Sequence, residues 1–339
     1  MEITFRKEEE WFQFYDGKGG LIERKTEIRF DPLTGETSRI VFDPGLRPVP
    51  TEYSKEAMET GGSNCPFCPE NIYFMTPLFP NNIAEEGRIK VGEAVLFPNL
   101  FPYSKHNGVA VFSGRHYVKL SEFTPAMIED ALKAAQIYIN KVLETDPKAA
   151  YASINWNYLP ASGGSILHPH LHVIVSEHPT NSQTLIQEKD LQFQQQTGKS
   201  YFTKLFELEK DGGERWVGEK GNVKWIHAFS PKSHCDFIGT IHERYGFGDV
   251  DDTDWSHLAH TLKNLFAMLE KEGFSSFNMS LDSGSSDIGQ PLRLRLIPRL
   301  SMGMLGTSDI NFFHVLHQEP LAYWTPEDNA AKARKLFGR

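Results

Sequence analysis

Alternating hydrophobic and polar positions predict several short β-strands in the first part of the chain. Residues 27–30 and 38–42 alternate in this way, and the segment Asp31-Pro32-Leu33-Thr34-Gly35 between them is rich in turn-forming residues. Short apolar runs of strand character also occur in residues 89–112, 150–155 and 168–175. The pattern therefore predicts a hairpin near the N-terminus, followed by a set of paired strands.

Apolar residues at helical spacing predict three helical regions. The first begins after Thr124-Pro125, an N-cap followed by proline at the first helical position, and runs from about residue 126 to residue 143. Residues 180–215 are rich in Gln, Lys and Glu and are also predicted to be helical. A third helix begins at residues 252–254 and carries an apolar stripe that ends at Leu269.

The order of predicted elements recurs in the second part of the chain. A strand pair at residues 223–230 and 236–242 precedes the third helix, and strands at 277–281 and 291–298 follow it. Asn278 precedes Arg293 by fifteen residues, as Asn155 precedes His170. This spacing favours an internal duplication over a chance similarity of two strand–loop–strand units. We predict an α+β protein whose halves are residues 1–180 and 181–339.

Composition narrows the class of protein and the kind of partner. The 339 residues are 40% hydrophobic and 23% charged, with a formal net charge of −9. An acidic chain argues against general nucleic-acid binding, which needs a basic face, but a few local cations suffice to bind a small anion. The N-terminal residues lack the apolar run of a signal peptide, and no run is long enough for a membrane span. We therefore expect a cytoplasmic protein with no membrane partner.

Three histidines alternate along the predicted strand at residues 168–175. At the two-residue period of a strand, His168, His170 and His172 point to one face. Imidazoles on a buried face are costly without partners, so the pattern indicates a metal, a phosphate group or a catalytic function. An exposed strand face is the simpler alternative, but such faces more commonly mix Thr, Lys, Glu and Ser.

The segment Cys65-Pro66-Phe67-Cys68 has the spacing of half a zinc site. A redox role would require the pair to open a helix between two strands, which Pro69 and the surrounding loop residues do not favour. With only three cysteines, no disulfide framework is expected, and Cys235 is predicted to be a buried core residue. The remaining metal ligands are then histidines or carboxylates. Cys65 and Cys68 with His116 and one strand histidine would form a closed Cys₂His₂ set.

A strand histidine outside the metal set is a candidate nucleophile. Neutral imidazole attacks phosphorus and forms a phosphoramidate that is readily reopened. A neighbouring histidine, a serine or backbone N–H groups would stabilise charge on the phosphoryl oxygens. Gly163 and Gly164, in the small-residue loop before the histidines, allow backbone N–H groups to face a bound anion. The residues therefore predict a zinc site beside a centre for nucleotidyl or phosphoryl transfer.

Several motifs together resemble the galactose-1-phosphate uridylyltransferase family of the histidine-triad superfamily. They are Asp31-Pro32-Leu33-Thr34-Gly35, Cys65-Pro66-Phe67-Cys68-Pro69-Glu70-Asn71, Phe97-Pro98-Asn99-Leu100-Phe101-Pro102, Phe112-Ser113-Gly114-Arg115-His116, and Asn157, Ser165 and His168-Pro169-His170. The resemblance implies two duplicated histidine-triad-like halves, each an antiparallel sheet with packed helices, the second being degenerate. It also implies a zinc-containing homodimer that moves a nucleoside monophosphate between phosphorylated small molecules, such as UDP-glucose and galactose 1-phosphate.

The resemblance assigns a role to each matching residue. The zinc ligands would be Cys65, Cys68, His116 and His168. The resemblance implies that His170 is the nucleophile, that Asn157, Ser165 and Arg47 contact phosphate oxygens, and that Asn99 and Phe101 lie around the base or ribose. His172 joins His170 and Ser165 as a catalytic candidate because it can donate to a phosphate oxygen, and Gly163 and Gly164 join the substrate contacts because of their backbone N–H groups.

Two departures from the family pattern keep other functions open. Transferases of the family have Gln two residues after the nucleophile, whereas His172 matches the histidine-triad hydrolases and can still donate to a phosphate oxygen. Arg293 and Arg295 stand where some members have metal-binding histidines, and a guanidinium cannot ligate a metal, so we expect no iron there. The alternatives are an adenylyl-transferring relative (an ADP-sugar or dinucleoside polyphosphate phosphorylase, or an adenylylsulfate:phosphate adenylyltransferase), a nucleotide hydrolase, and a zinc-stabilised nucleotide-binding protein without turnover.

Overall fold

The computed structural model describes residues 2–42, 48–302 and 307–338. The strands are β1 (Lys7–Tyr15), β2 (Leu21–Phe30), β3 (Thr37–Val41), β4 (Ile89–Val91), β5 (Ala94–Pro98), β6 (His106–Val111), β7 (Tyr151–Tyr158), β8 (His170–Ser176), β9 (Trp216–Lys220), β10 (Val223–His227), β11 (Phe237–Ile241), β12 (Ser276–Asp282), β13 (Leu292–Arg299), β14 (Ser301–Met302), β15 (Thr307–Ser308) and β16 (Leu321–Ala322). The helices are α1 (Ser54–Thr60), α2 (Ile72–Met75), α3 (Pro125–Thr145), α4 (Asn181–Thr197), α5 (Tyr201–Gly212), α6 (Asp252–Lys271), α7 (Phe312–Val315) and α8 (Pro326–Phe337).

A ten-stranded antiparallel sheet forms the centre of the molecule. Its strand order is β4-β5-β6-β8-β7-β12-β13-β11-β10-β9, which is symmetric about the contact between β7 and β12. In the first half α3 lies between β6 and β7 in the chain, and in the second half α6 lies between β11 and β12. This symmetry confirms the predicted α+β fold with duplicated antiparallel halves. The division of the chain at residue 180 stays a prediction.

The register of the central strands shows which positions of the two halves correspond. Trp156 lies opposite Met279 where β7 meets β12. Met279 lies 123 positions after Trp156 in the chain, and Arg293 lies 123 positions after His170. In the outer neighbours, His170 pairs with a residue of β6 and Arg293 with a residue of β11, which are equivalent strands. Arg293 therefore occupies in the second half the place that His170 has in the first.

The helices α3 and α6 pack on one face of the sheet. Thr124 caps α3 by accepting a hydrogen bond from the N–H of Met127, as the sequence predicts. The predicted apolar stripe of α3 is buried: Ile128, Leu132, Ala135, Ile139 and Val142. The indole of Trp156 lies at the centre of this layer, with the ring centroids of Phe112, Phe277 and Phe266 at 4.4, 4.9 and 5.7 Å. Because this layer is continuous across β7 and β12, the two halves share one core.

Polar side chains of the central strands lie on the face away from these helices. In β8, Leu171 and Val173 are buried in the helix-side core, so His170 and His172 point the other way. In β13, Leu292, Leu294 and Leu296 are buried in the same core, so Arg293 and Arg295 also point away from it. The two halves thus present corresponding polar pairs on one face of the sheet.

The smaller sheet and the second-half helices extend this frame. The predicted hairpin is confirmed as β2 and β3, which pair with each other, while β1 lies at the edge and is exposed along its whole length. The predicted helical region at 180–215 consists of α4 and α5, which begin after the side-chain caps Thr180 and Ser200. Cys235 is buried, as predicted. Across the described residues, no helix has both the length and the apolar character needed to cross a membrane.

Candidate active site and metal centre

Two cysteines and two histidines from three separate segments meet in one cluster. Cys65 and Cys68 precede α2, His116 follows β6, and His168 precedes β8. Their sulfur and nearest ring nitrogen atoms all lie within 4.8 Å of one another. The Sγ of Cys68 is 3.5 Å from Nδ1 of His116 and 3.6 Å from Nδ1 of His168. A tetrahedral ion bound by sulfur and nitrogen needs ligand separations of about 3.6 Å, so this cluster can hold a metal ion.

Hydrogen bonds on the far side of each histidine leave Nδ1 directed at the cluster. Nε2–H of His168 donates to the carbonyl oxygen of Ser113 at 2.7 Å. Nε2–H of His116 donates to Oγ1 of Thr60 at 3.0 Å, and the Thr60 hydroxyl donates in turn to the carbonyl of Glu56 at 2.7 Å. Metal-ligating histidines are typically oriented in this way by a partner for the second nitrogen.

Burial makes these four groups unfavourable as an isolated cluster. Burial lowers the pKa of His168 to about 4, and burial together with the neighbouring Cys65 raises the pKa of the Cys68 thiol to about 11. The Cys68 sulfur is therefore a poor thiolate unless a bound cation stabilises its negative charge. The donor set and its environment fit a divalent metal ion.

The side-chain amide of Asn71 helps to hold the turn that carries the cysteines. Nδ2 of Asn71 donates to the carbonyl oxygens of Gly62, Ser63 and Cys65 at 3.2, 3.0 and 2.9 Å. The N–H of Phe67 donates to Sγ of Cys65 at 3.4 Å, a contact that stabilises negative charge on this sulfur. Contacts within the turn thus hold its backbone and the Cys65 sulfur.

A cavity of about 280 Å³ lies beside the metal cluster. Its walls include every predicted catalytic and substrate residue that the structure describes: Asn99, Phe101, Asn157, Gly163, Gly164, Ser165, His170 and His172. Arg47, the remaining predicted contact, lies outside the described residues. The fold therefore gathers residues from the ends of β5 and β7 and from β8 around one space.

His170 is held in one orientation by its own strand. Its Nδ1–H donates to the carbonyl oxygen of His168 at 2.8 Å, which leaves Nε2 as the unprotonated nitrogen. The ring of Phe67 packs edge-on against it, with a centroid distance of 5.3 Å. Burial lowers the pKa of His170 to about 4, although the bond to His168 opposes this effect. A neutral imidazole, oriented and lining a cavity, has the properties of a nucleophile.

His172 forms the next part of the cavity wall and has an unpaired nitrogen. Its ring stacks on that of Tyr103, with centroids 5.6 Å apart and an interplanar angle of 21°. Its Nδ1 is buried and has no hydrogen-bond partner in the part of the chain that the structure describes. Buried polar atoms are normally paired, so a water molecule or a ligand atom is expected to complete this site.

The glycine turn before the histidines differs from the prediction. The N–H of Gly163 donates to the carbonyl of Pro160 at 2.9 Å, and that of Gly164 donates to Leu159 at 3.2 Å. Because both donors are used within the turn, the prediction that these N–H groups face an anion is wrong. The hydroxyl of the following Ser165 is exposed and makes no hydrogen bond to any described residue, so Ser165 offers the free donor of this loop.

Asn157 is oriented by a residue that the sequence reasoning did not assign to the site. Nδ2 of Asn278, on β12, donates to Oδ1 of Asn157 at 2.7 Å and to the carbonyl of Ser162 at 2.8 Å. This contact crosses the junction between the halves and turns the Asn157 Nδ2 donor away from Asn278. The internal duplication could have indicated Asn278, because it placed an asparagine on the strand that pairs with β7.

The loop after β5 is shaped by two asparagines. Nδ2 of Asn99 donates to the carbonyl of Phe101 at 3.0 Å and to Oδ1 of Asn107 at 2.9 Å. Asn107 is buried and donates to the carbonyl of Val173 at 3.1 Å, which ties the loop to β8. Asn99 thus lines the cavity while its amide group holds the loop, and the rings of Phe101 and Tyr103 are the groups presented to a ligand. Sequence reasoning missed Asn107 and Tyr103.

Comparison with known proteins adds to this description. No protein-family model matches the chain. A protein of Archaeoglobus fulgidus, described as an uncharacterized protein, is 35% identical over 337 residues, which are 99% of each chain. An ADP-glucose phosphorylase from Arabidopsis thaliana, solved with bound ADP-glucose, has a TM-score of 0.70 and 17% identity over 91% of this chain and 98% of its own. A uridylyltransferase structure has a TM-score of 0.66 and 19% identity over 92% of this chain and 98% of its own.

Proposed function

The chain belongs to one family with the Archaeoglobus fulgidus protein, and we propose that it is a nucleotidyltransferase. Its fold is that of the uridylyltransferase and ADP-glucose phosphorylase structures, which supports this proposal. His170 is the nucleophile, and the reaction proceeds through a nucleotidyl-His170 intermediate. The donor is a nucleotide-sugar or another nucleoside diphosphate compound, and the acceptor is a phosphorylated small molecule or phosphate.

The orientation of His170 is the observation that carries the proposal. A histidine whose Nδ1–H is fixed on a backbone carbonyl 2.8 Å away has its lone pair on Nε2, the nitrogen needed for attack. The same ring lines the cavity, between Phe67 and His172. A protein that only binds nucleotide has no use for a nucleophile held in this way.

The proposed reaction has two displacement steps. Nε2 of His170 attacks the α-phosphorus, a P–N bond forms, and the P–O bond to the leaving phosphate or phosphate ester breaks. In the second step an acceptor oxygen attacks the same phosphorus, the P–N bond breaks, and the imidazole lone pair returns to Nε2. No net proton transfer is required when the acceptor is an anionic phosphate oxygen.

Three side chains of the cavity wall are suited to hold the phosphoryl oxygens. They are the free hydroxyl of Ser165, the amide of Asn157 and the imidazole of His172. Donors placed at oxygens that gain charge in the transition state stabilise it more than the ground state. The exposed rings of Phe101 and Tyr103, which also line the cavity, supply flat apolar surfaces for a nucleoside.

The metal of the Cys₂His₂ cluster is zinc in this proposal. Four protein ligands close the coordination sphere, which is typical of structural rather than catalytic zinc. Zinc bound there would join the cysteine turn to His168, two residues before the nucleophile. Its contribution is to fix the strand that positions His170 and to stabilise the fold.

Uridylyl and adenylyl donors are two candidates within this proposal. The solved structures named as a uridylyltransferase and as an ADP-glucose phosphorylase match the chain at TM-scores of 0.66 and 0.70, and these values do not separate the two nucleotides. The resemblance of the motifs favours UDP-hexose, whereas His172 in the place of Gln favours an adenylyl-transferring relative or a hydrolase.

A homodimer is also part of the proposal. The β1–β2 hairpin exposes aromatic side chains on both of its faces, with Trp11 60%, Phe12 67% and Tyr15 74% exposed. Exposed apolar side chains grouped on one element commonly mark interfaces, so the hairpin is the expected contact with a second copy. Sedimentation of the full chain at several concentrations tests this expectation.

Intact-mass spectrometry after mixing with donor and no acceptor tests the proposed intermediate. UDP-glucose, ADP-glucose, ATP and adenylylsulfate are supplied in turn to the zinc-loaded protein. We expect an acid-labile adduct of one nucleoside monophosphate in the wild type and none in His170→Ala. His178→Ala is the matched control, since His178 is exposed beyond the end of β8 and away from the cavity.

The identity of the adduct decides between the candidates. A uridylyl adduct assigns a UDP-compound as donor, and an adenylyl adduct assigns the adenylyl-transferring alternative. Accumulation of nucleoside monophosphate without an adduct in the wild type and in His172→Gln contradicts transfer and indicates hydrolysis. Binding of a donor that is unchanged in His170→Ala, with no adduct and no product, indicates a non-catalytic binding protein.

A further inference from the structure

The loop between β5 and β6 forms one wall of the candidate active site and is tied to a buried side chain, Asn107. The loop carries Asn99, Phe101 and Tyr103, and all three line the cavity around His170. Phe101 and Tyr103 are 77% and 75% exposed, so core packing does little to hold their rings in place. Surface loops are mobile unless other contacts fix them. The position of this wall therefore depends on the hydrogen bonds of the loop.

Asn107 uses its whole hydrogen-bonding capacity at this point. Its Oδ1 accepts from Nδ2 of Asn99 at 2.9 Å and from the backbone N–H of Tyr103 at 3.2 Å. Its Nδ2 donates to the carbonyl oxygens of Val173 at 3.1 Å and of Gly108 at 3.2 Å. An amide side chain offers two N–H donors and an oxygen with two lone pairs, and all of them are used. Since Asn107 is only 5% exposed, this satisfied network is rigid.

Asn107 thereby joins the loop to the strand that carries His172. In β8, Val173 directly follows His172, and Asn107 on β6 lies opposite the next residue, Ile174. On the other side, the amide oxygen holds the backbone of Tyr103. Asn107 is not among the described residues that line the cavity, so it acts from behind the wall. One side chain thus connects the backbone of the loop with that of the histidine strand.

The contact that this connection brackets is the stack between Tyr103 and His172. The ring centroids are 5.6 Å apart and the interplanar angle is 21°. Neither ring nitrogen of His172 has a hydrogen-bond partner among the described residues, whereas Nδ1–H of His170 is held by a carbonyl. The orientation of the His172 ring therefore depends on its ring contacts, which are the stack with Tyr103 and an edge contact with His170 at 5.3 Å.

We propose that Asn107 is a positioning residue of this site: it holds the ring of Tyr103 on His172 and thereby fixes the direction in which the His172 nitrogens point. Tyr103 also presents its exposed ring to the nucleoside, so the same contact links nucleoside recognition to the transfer step. The effect on the reaction rests on the function proposed above, whereas the effect on the His172 ring follows from the contacts alone. Misplacement of a phosphate-facing donor by about 1 Å can slow a reaction on the order of a hundredfold.

Crystal structures of the zinc-loaded protein test the positioning itself. We expect one conformer of the His172 ring in the wild type and in Tyr103→Phe, which keeps the stacked ring. Asn107→Ala and Tyr103→Leu should show a rotated His172 ring or more than one conformer. Because Tyr103 is largely exposed, Tyr103→Leu is expected to fold even if Asn107→Ala does not. A His172 ring that keeps its wild-type conformer in either variant would overturn the proposal.

Single-turnover formation of the nucleotidyl adduct tests the consequence for the reaction. UDP-glucose, ADP-glucose, ATP and adenylylsulfate are each varied in concentration, which separates the apparent affinity for the donor from the limiting rate. We expect Asn107→Ala and Tyr103→Leu to weaken the affinity and to lower the limiting rate, each by about tenfold. Tyr73→Leu is the matched control, because Tyr73 on α2 is an exposed tyrosine outside the cavity, and it should change neither value. A merely structural role would reduce the adduct per bound zinc and leave both values unchanged, which would contradict the proposal.

The two experiments separate failure of this inference from failure of the proposed function. If the wild type forms no adduct with any donor but the variants lose the single His172 conformer, the proposed function is wrong and the positioning by Asn107 and Tyr103 is supported. If the wild type forms the adduct and both variants form it with the same affinity and rate, the proposed function is supported and the inference is wrong.

Discussion

The ion network between the N-terminal sheet and α8 allows a quantitative prediction. Nη1 and Nη2 of Arg29 donate to the two carboxylate oxygens of Glu327, each at 2.8 Å, and Nη1 of Arg215 donates to the same carboxylate at 2.9 Å. The Arg29 and Arg215 side chains are only 2% and 4% exposed, whereas Glu327 is 33% exposed. Replacing Glu327 by Gln keeps the shape of the side chain and removes the charge that two buried guanidinium groups share.

The expected cost follows from the burial of the partners. Breaking a fully buried ion pair costs about 3–5 kcal/mol, chiefly because an uncompensated charge is left behind. The partial exposure of Glu327 reduces this value, and Glu27 and Glu209 remain as partners at 2.5 and 2.7 Å from the two arginines. We therefore expect Glu327→Gln to lower the free energy of unfolding by about 2–3 kcal/mol near pH 7.

The same contribution depends on pH in a defined direction. Burial raises the pKa of Glu327, but Arg29 and Arg215 outweigh it and lower this pKa from 4.5 to about 2. Because the folded pKa lies below the unfolded one, the stabilisation is complete above about pH 4.5 and is lost as the pH falls toward 2. The difference in stability between wild type and Glu327→Gln should therefore shrink across this range.

Denaturant unfolding of the zinc-loaded protein, followed by circular dichroism and tryptophan fluorescence, measures the effect. Glu214→Gln is the matched control, because Glu214 contacts the same Nη1 of Arg215 at 2.9 Å but is 68% exposed. Glu214→Gln should lower the free energy of unfolding by less than about 1 kcal/mol. Equal destabilisation by the two substitutions would refute the reasoning. A difference in the free energy of unfolding between wild type and Glu327→Gln that stays constant from pH 5 to pH 3 would also refute it.

Two further predictions concern the candidate site. Thr60→Val removes the acceptor for Nε2–H of His116 and should weaken zinc binding about ten- to hundredfold in chelator competition. The control Thr145→Val removes a similar hydroxyl from the end of α3 and should leave zinc binding unchanged. Equal zinc affinity in the two variants would contradict the orienting role of Thr60. Asn278→Ala removes two hydrogen bonds that hold Asn157 and its turn, and it should slow adduct formation about tenfold or more with unchanged zinc content. An unchanged rate would contradict the positioning role of Asn278.

Local patterns were sufficient to predict most of the central fold. Capping at Thr124 and the apolar stripe of α3 depend on residues within a few turns of one another, and the structure confirms both. The duplication was visible because equal spacings recur in both halves, and it anticipated that Arg293 would take the place of His170. In contrast, β1 has charged and aromatic residues without alternation, and it pairs with β2 while exposed along its whole length. Periodicity cannot predict a strand that buries neither face.

The site could be predicted only in part, because several roles depend on partners distant in sequence. Resemblance supplied the four metal-cluster residues, and the fold brings them together. It could not show that the amide of Asn99 would be used within its own loop, since this depends on Asn107. The glycine-containing loop was separately predicted to direct the Gly163 N–H at an anion, whereas the turn uses that donor for Pro160. Glycine indicates conformational freedom and not the direction in which an N–H group points.

The two halves show how one sheet position can serve different chemistry. The strand pairing and the helix layer around His170 and Arg293 are equivalent, so the backbone provides each side chain with a similar place beside a cavity. An imidazole there, with Nδ1 fixed on a carbonyl, has an unprotonated nitrogen that can form and release a bond to phosphorus. A guanidinium at the equivalent place stays protonated and can only donate. The exchange of His for Arg therefore removes the candidate nucleophile from the second half without any change in fold.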